Sequence, residues 1–164
     1  MNEIVLDELF PLQSGLDATI HAAHQCDYES THYKRILAFL VELGEFSNET
    51  RCFKFWSLKS PSEKAVILDE YADGMHFLLS LGLPLGVEKY THKFKPDQKE
   101  LTLQILKTYS LATDLLDHYD AKHYALVFSS FLNILPLLGY SGEDAIAAYK
   151  KKLAVNYTRQ EQHY

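Results

Sequence analysis

The chain has 164 residues, 47% of them hydrophobic, with 22 acidic against 16 basic side chains and a formal net charge of −6. That balance disfavours a dedicated nucleic-acid binder, and an apolar content that includes 11 Tyr and 9 Phe excludes a disordered chain. Seven Gly and five Pro are too few for an all-β fold built on many tight turns, so an all-α, multi-helix bundle is expected.

The amino terminus, MNEIVLDELF, sets acids inside its first apolar stretch, which is not the pattern of a secretory leader. No apolar run approaches the roughly 18 residues of a membrane-spanning helix. A cytoplasmic chain with no membrane partner is expected, and Cys26 and Cys52, lacking metal or redox spacing, read as reduced packing residues. Pro11, Pro61, Pro84, Pro96 and Pro136 separate the apolar-periodic stretches, because proline is poorly tolerated inside a helix. The spacing predicts about six helices, over 12–26, 31–58, 62–82, 97–117, 121–135 and 142–160, with a loop over 83–96. No repeat, low-complexity tract or linker divides them, so residues 1–164 are expected to form a single domain.

The first predicted helix places Gln13 and Asp17 four residues apart on a polar edge. Along the second, Glu42, Glu45, Glu49, Cys52 and Trp56 keep to one stripe at about 100° per residue, beside an apolar stripe of Ile36, Phe39, Leu40, Leu43, Phe46 and Phe53. A lone acid pair of this kind ordinarily marks a solvated edge. The third helix, with Ser60-Pro61-Ser62-Glu63 as its expected cap, changes that reading. It is apolar nearly all round, a pattern that buries a helix, and Glu70 and Asp73 interrupt it with only Lys64 as a cation on the same helix. A buried carboxylate needs a partner, and a hard divalent cation such as Mg²⁺ is the economical one. Glu70 and Asp73 repeat the spacing of Glu42 and Glu45, so two helices side by side would aim four carboxylates at one space.

Asp114, Asp117, His118 and Asp120 form a further acidic cluster that reads as a solvated face. The last predicted helix opens at Ser141 and Gly142 with Glu143 and Asp144 in its first turn, where they favour the helix dipole. Near its end Lys152, Asn156 and Arg159 share a face and suit phosphate oxygens, although a cationic last turn also complements its own dipole.

The ExxE and ExxD pairs, with ELGEFSNETRCFKFWS and LDEYADGMHFLLSLG around them, resemble the dimeric dUTPase branch of the all-α NTP pyrophosphatase superfamily, which also holds the MazG-type enzymes. KLAVNYTRQEQHY resembles that branch's closing motif at Lys152, Asn156, Arg159, Gln160 and Tyr164, with His163 where the family usually has Gly. LQSGLD resembles its base-recognition segment, where some relatives carry Asn in place of Asp17.

The resemblance implies hydrolysis of dUTP to dUMP and pyrophosphate by a homodimer. In it Glu42, Glu45, Glu70 and Asp73 hold Mg²⁺, Glu45 deprotonates the water, and Lys152, Asn156, Arg159 and Tyr164 bind the substrate. Asp17 fits the N3–H of uracil and Gln13 a carbonyl oxygen, while Trp56 and His76 are candidate apolar walls for the base. Three other readings compete. A pyrophosphatase for dCTP or several nucleotides would share the carboxylate cage. A di-iron oxidase would use Glu29-x-x-His32 and Asp73-x-x-His76. A non-catalytic interaction protein would keep the fold alone.

Overall fold

The computed structural model describes residues 2–163. Six long helices carry the fold: α1 (Leu9–His24), α2 (His32–Thr50), α3 (Lys64–Gly82), α4 (Leu101–Thr113), α5 (Ala121–Leu132) and, after the one-turn α6 (Ile134–Leu137), α7 (Gly142–Glu161). The all-α expectation holds, with one addition. Strands β1 (Glu3–Val5) and β2 (Thr91–Lys93) pair antiparallel, Ile4 opposite His92, so the stretch 83–96 is not wholly loop. It opens with a 3₁₀ turn over Leu83–Leu85 before reaching β2.

α3 is the centre of the bundle, packed against α1, α2, α5 and α7. Its apolar surround is buried as predicted, with Tyr71, Met75, Leu78 and Leu79 fully enclosed. Tyr71 stacks on Phe131 at 4.1 Å between ring centroids and donates its hydroxyl to the Phe131 carbonyl oxygen at 2.9 Å. At Gly82 the chain meets Tyr124 so closely that a Cβ would lie 2.5 Å from the phenol oxygen, and that hydroxyl donates to the Leu78 carbonyl at 2.7 Å. Only glycine fits there. The half of the chain after residue 97 thus backs the helices that carry the acids, through α4 against α2 and α5 against α3.

The largest departure from expectation is the end of α2, which stops at Thr50 rather than 58. Ser47 donates to the Leu43 carbonyl at 2.6 Å and Thr50 to that of Ser47 at 2.7 Å, and Arg51 turns to φ 58° to close the helix. Ser, Asn and Thr are poor helix formers because their side chains compete for the backbone in this way. Phe53, expected in the core, is consequently exposed, and Trp56 leaves the acidic stripe. The expected cap of α3 is also replaced. No side chain caps it, and Ser62 instead turns back to α2, its N–H on the Glu49 carbonyl at 3.0 Å and its hydroxyl on the Glu49 carboxylate.

The remaining boundaries shift by short 3₁₀ or single-turn pieces. Residues Asp114–Leu116 close α4, and Asp120 caps α5 by accepting the His123 N–H at 2.8 Å, so the exposed 114–120 cluster is surface and cap. α7 opens on a capping box between Ser141 and Asp144. Cys26 and Cys52 are free thiols.

Candidate active site

α2 and α3 run side by side and bring the two acid pairs together. Carboxylate oxygens of Glu42, Glu45 and Glu70 lie within 4.8 Å of one another, as do those of Asp69, Glu70 and Asp73. Burial, then Asp73 and Glu45, pushes the Glu42 carboxyl up to about 8, and burial, then Asp73, pushes Glu70 up to about 7. One oxygen of Glu42 and one of Glu70, both Oε2, are buried without a hydrogen-bond partner among the described residues. Two orphaned hard oxygens, within carboxylates gathered as two trios that share Glu70, have the chemistry that divalent cations of the Mg²⁺ type select.

Lysine is not as scarce here as the helix alone suggests. Lys152 of α7 is buried, with its Nζ 2.9 Å from Asp69 and 3.3 Å from Asp73. Burial alone would lower its pKa, but these carboxylates outweigh burial and hold it above the usual lysine value. Burial raises Asp73 as well, against the pull of Lys152. Of the phosphate-binding side chains expected on α7, Lys152 is therefore engaged with acids, whereas Asn156 and Arg159 line the adjoining pocket.

That pocket, of about 350 Å³, lies between α1, α2, α3 and α7. Glu42 and Asp73 stand along it beside Asn156 and Arg159, and Gln13, Asp17, His76 and Ser80 line it too. Glu45 and Glu70 open instead onto a second hollow, shared with Asn48 and Glu49, so the acid cluster is reached from two directions.

Gln13, Asp17 and His76 are at most 4% exposed and directly connected. Gln13 donates to Asp17 at 2.9 Å and accepts from His76 Nδ1 at 2.7 Å and the Tyr149 hydroxyl at 2.9 Å. Asp17 also accepts from Tyr28 at 2.9 Å and Ser80 at 2.7 Å. His76 is not merely an apolar wall. Its ring stacks on Tyr149 at 4.2 Å, and burial, outweighing the nearby Tyr149 backbone carbonyl, pulls its pKa down to about 4, so the imidazole is neutral at pH 7.

Two expected residues are not part of this assembly. Trp56, 64% exposed among Phe53 and Phe55, does not line the pocket of its own chain. Tyr164 lies outside the described residues. His163, standing where the family usually has Gly, adopts φ 55°, so the chain keeps the left-handed turn that glycine favours. Glu29 and His32 line a separate surface groove and do not meet Asp73 and His76, which leaves the di-iron arrangement unassembled.

Sequence reading missed Ser80, Tyr28, Tyr149 and Asp69. A helical signal existed for two of them: Ser80 lies seven residues after Asp73 and four after His76, and Tyr149 precedes Lys152, Asn156 and Arg159 on one face of α7. Tyr28, in the connection between α1 and α2, had none.

Paired carboxylates on neighbouring helices, beside a pocket with an arginine and an amide along one wall and a polar cluster suited to a base, define an all-α nucleoside triphosphate pyrophosphohydrolase. No curated protein matches the chain. The dUTPase family model matches residues 5–164, and the chain belongs to that family. Its reaction is that of a dUTP diphosphatase, from dUTP to dUMP and pyrophosphate.

Proposed function

We propose that the chain is a single-domain, Mg²⁺-dependent dUTP diphosphatase in which Glu42, Glu45, Glu70 and Asp73 hold the cation. The observation that carries this reading is the pair of partnerless buried oxygens on Glu42 and Glu70, within the cluster that adjoins the pocket. When bound, Mg²⁺ supplies Lewis-acid activation of water and neutralises charge on the triphosphate oxygens. Glu45, the most exposed of the four, takes the proton of the water that attacks the β-phosphorus. The bond between that phosphorus and the bridging oxygen to the α-phosphate breaks, and dUMP leaves. Asn156 and Arg159 bind phosphate oxygens, Arg159 as a planar fork. Gln13, Asp17 and His76 read the base, and Lys152 and the carboxyl-terminal Tyr164 complete the substrate contacts.

The reading includes a homodimer. Tyr33, Leu37 and Val41 repeat along one exposed face of α2, with Phe55, Trp56 and Leu58 exposed beyond its end, which supplies apolar surface for a second copy. The acidic charge and the absence among the described residues of any single helix able to span a membrane support a cytoplasmic enzyme without nucleic-acid or membrane partners.

Pyrophosphate release measured against a panel of dNTPs and NTPs, with Mg²⁺ and with chelator, tests the reading. Mg²⁺-dependent cleavage with dUTP preferred is expected. Equal cleavage of dCTP moves the assignment to a broader nucleotide pyrophosphatase, and undiminished activity in chelator removes the metal role.

A further inference from the structure

The two carboxylate trios differ in what they already hold. Asp69 and Asp73 stand one turn apart on α3, a spacing at which like charges repel, and α7 packs against that helix with Lys152 facing them. The Lys152 Nζ lies 2.9 Å from Asp69 and 3.3 Å from Asp73, against two members of the trio completed by Glu70. Its side chain is only 7% exposed, so the ammonium is a built part of the cluster and not a surface charge passing by. Glu42, Glu45 and Glu70 gather just as closely, yet no ion pair joins any of the three to a cation among the described residues. The partnerless oxygens of Glu42 and Glu70 belong to this second group. One trio is filled by a positive charge from the chain itself, and the other is open.

Resting on the reading of these acids as a cation site, we infer that Lys152 is a resident cation: in the nucleotide-free chain its ammonium holds the place of a second divalent ion at Asp69, Glu70 and Asp73, so that a single ion binds, at Glu42, Glu45 and Glu70. An ammonium and a divalent ion are like charges and cannot share oxygens held this close together. Lysine suits the post because it is a compact point charge on a flexible four-carbon stem, able to leave as well as to stay, where the rigid fork of an arginine would grip a carboxylate with both prongs. Two of its three hydrogens are directed to Asp69 and Asp73, and the third is left for a phosphate oxygen. When a triphosphate enters the pocket, Lys152 transfers to it and frees Asp73, and only then does the second trio admit an ion. The metal complement of the site is thus set by the substrate, through one side chain of α7.

The test counts Mn²⁺ bound to the whole, nucleotide-free chain, from the loss of its free-ion paramagnetic resonance signal, in the parent, Lys152→Arg and Lys152→Met. Arginine keeps the charge, whereas methionine keeps much of the stem and removes the charge. One ion per chain is expected on the parent and on Lys152→Arg. Two are expected on Lys152→Met, the second bound at least about tenfold more tightly than any second ion on the parent. Two Mn²⁺ ions that share Glu70 should also be spin-coupled, so Lys152→Met should show a coupled-pair spectrum that a mere loss of packing would not produce. Two ions on either chain that keeps the charge, or one on Lys152→Met, overturns the inference. Saturating the parent with a non-hydrolysable imido analogue of dUTP should bring out the same coupled spectrum, and its absence overturns the exchange. If Lys152→Met folds poorly without metal, melting decides: saturating Mn²⁺ should raise its melting temperature by more than the parent's, and an equal or smaller rise overturns the inference. No ion on the parent would remove the reading of the acids as a cation site as well, whereas two ions there would leave that reading standing.

Discussion

Binding a divalent cation at the acid cluster should expel protons, because Glu42 and Glu70 hold theirs near neutrality, at about 8 and about 7. Between pH 6 and pH 8 the ionised fraction of a group titrating near 7 rises roughly tenfold and that of one near 8 roughly fiftyfold. Cation affinity should therefore strengthen by about tenfold if one proton is displaced and by several hundredfold if both are. Mn²⁺, which takes the same oxygen ligands, can be followed by the loss of its free-ion paramagnetic resonance signal in nucleotide-free protein, with an indicator dye counting the protons released. Less than about a threefold change in affinity across that range, with no proton release, would refute both the burial of these carboxyls and their role as ligands.

The same shifts fix a stability trend. Both carboxyls titrate higher in the folded chain than in the unfolded one, so their contribution is full below about pH 4.5 and is lost as pH rises through about 7 and 8. Metal-free protein should melt at lower temperature at pH 8 than at pH 5.5, and Glu42→Gln should flatten the slope in calorimetry; an unchanged slope would mean Glu42 is solvated. Glu45→Gln should preserve the fold and nucleotide binding while turnover falls at least about 10²-fold, the lower range for a lost general base. Single-turnover rates within a few-fold of the parent would give the proton to another group. Lys152→Ala, which strands Asp73 beside Glu70, should cost about 1–3 kcal/mol in urea denaturation without metal, less than a fully buried pair because Asp69 is half exposed. Gly82→Ala should destabilise by a similar ~1–3 kcal/mol, because its new methyl group overlaps the Tyr124 phenol. A melting curve like the parent's would show that Tyr124 can move aside.

The acid pairs were legible in the sequence because helical spacing alone decides which face a side chain occupies, and α3 declares its burial by being apolar on every side. The end of α2 was not legible in the same way. Its apolar period continues past Thr50, and only the competition of Ser47 and Thr50 for backbone carbonyls stops the helix, taking Trp56 out of the stripe. The base-end relay was legible only in part. Gln13 and Asp17 share one helix, but Ser80 and Tyr149 reach them across 63 and 136 residues of chain, separations that no local pattern encodes. The β1–β2 pair escaped for a similar reason. Three-residue strands have too little alternation to register, and their partners are brought together by the packing of the bundle.

Tyr149, Lys152, Asn156 and Arg159 all belong to one unbroken helix, spanning about 15 Å at 1.5 Å per residue. Under the proposed function, α7 is thus a ruler laid along the substrate, graduated from the polar cluster around Gln13 past the acids to Asn156 and Arg159. Because its marks share one rigid backbone, their spacing cannot drift independently. Single substitutions edit one graduation at a time, whereas inserting or deleting one residue between Tyr149 and Arg159 rotates every later mark by about 100°. Tinkering with this enzyme's tolerance for longer or shorter nucleotides therefore has to proceed by exchanging side chains on α7, since any change in its length scrambles the whole scale.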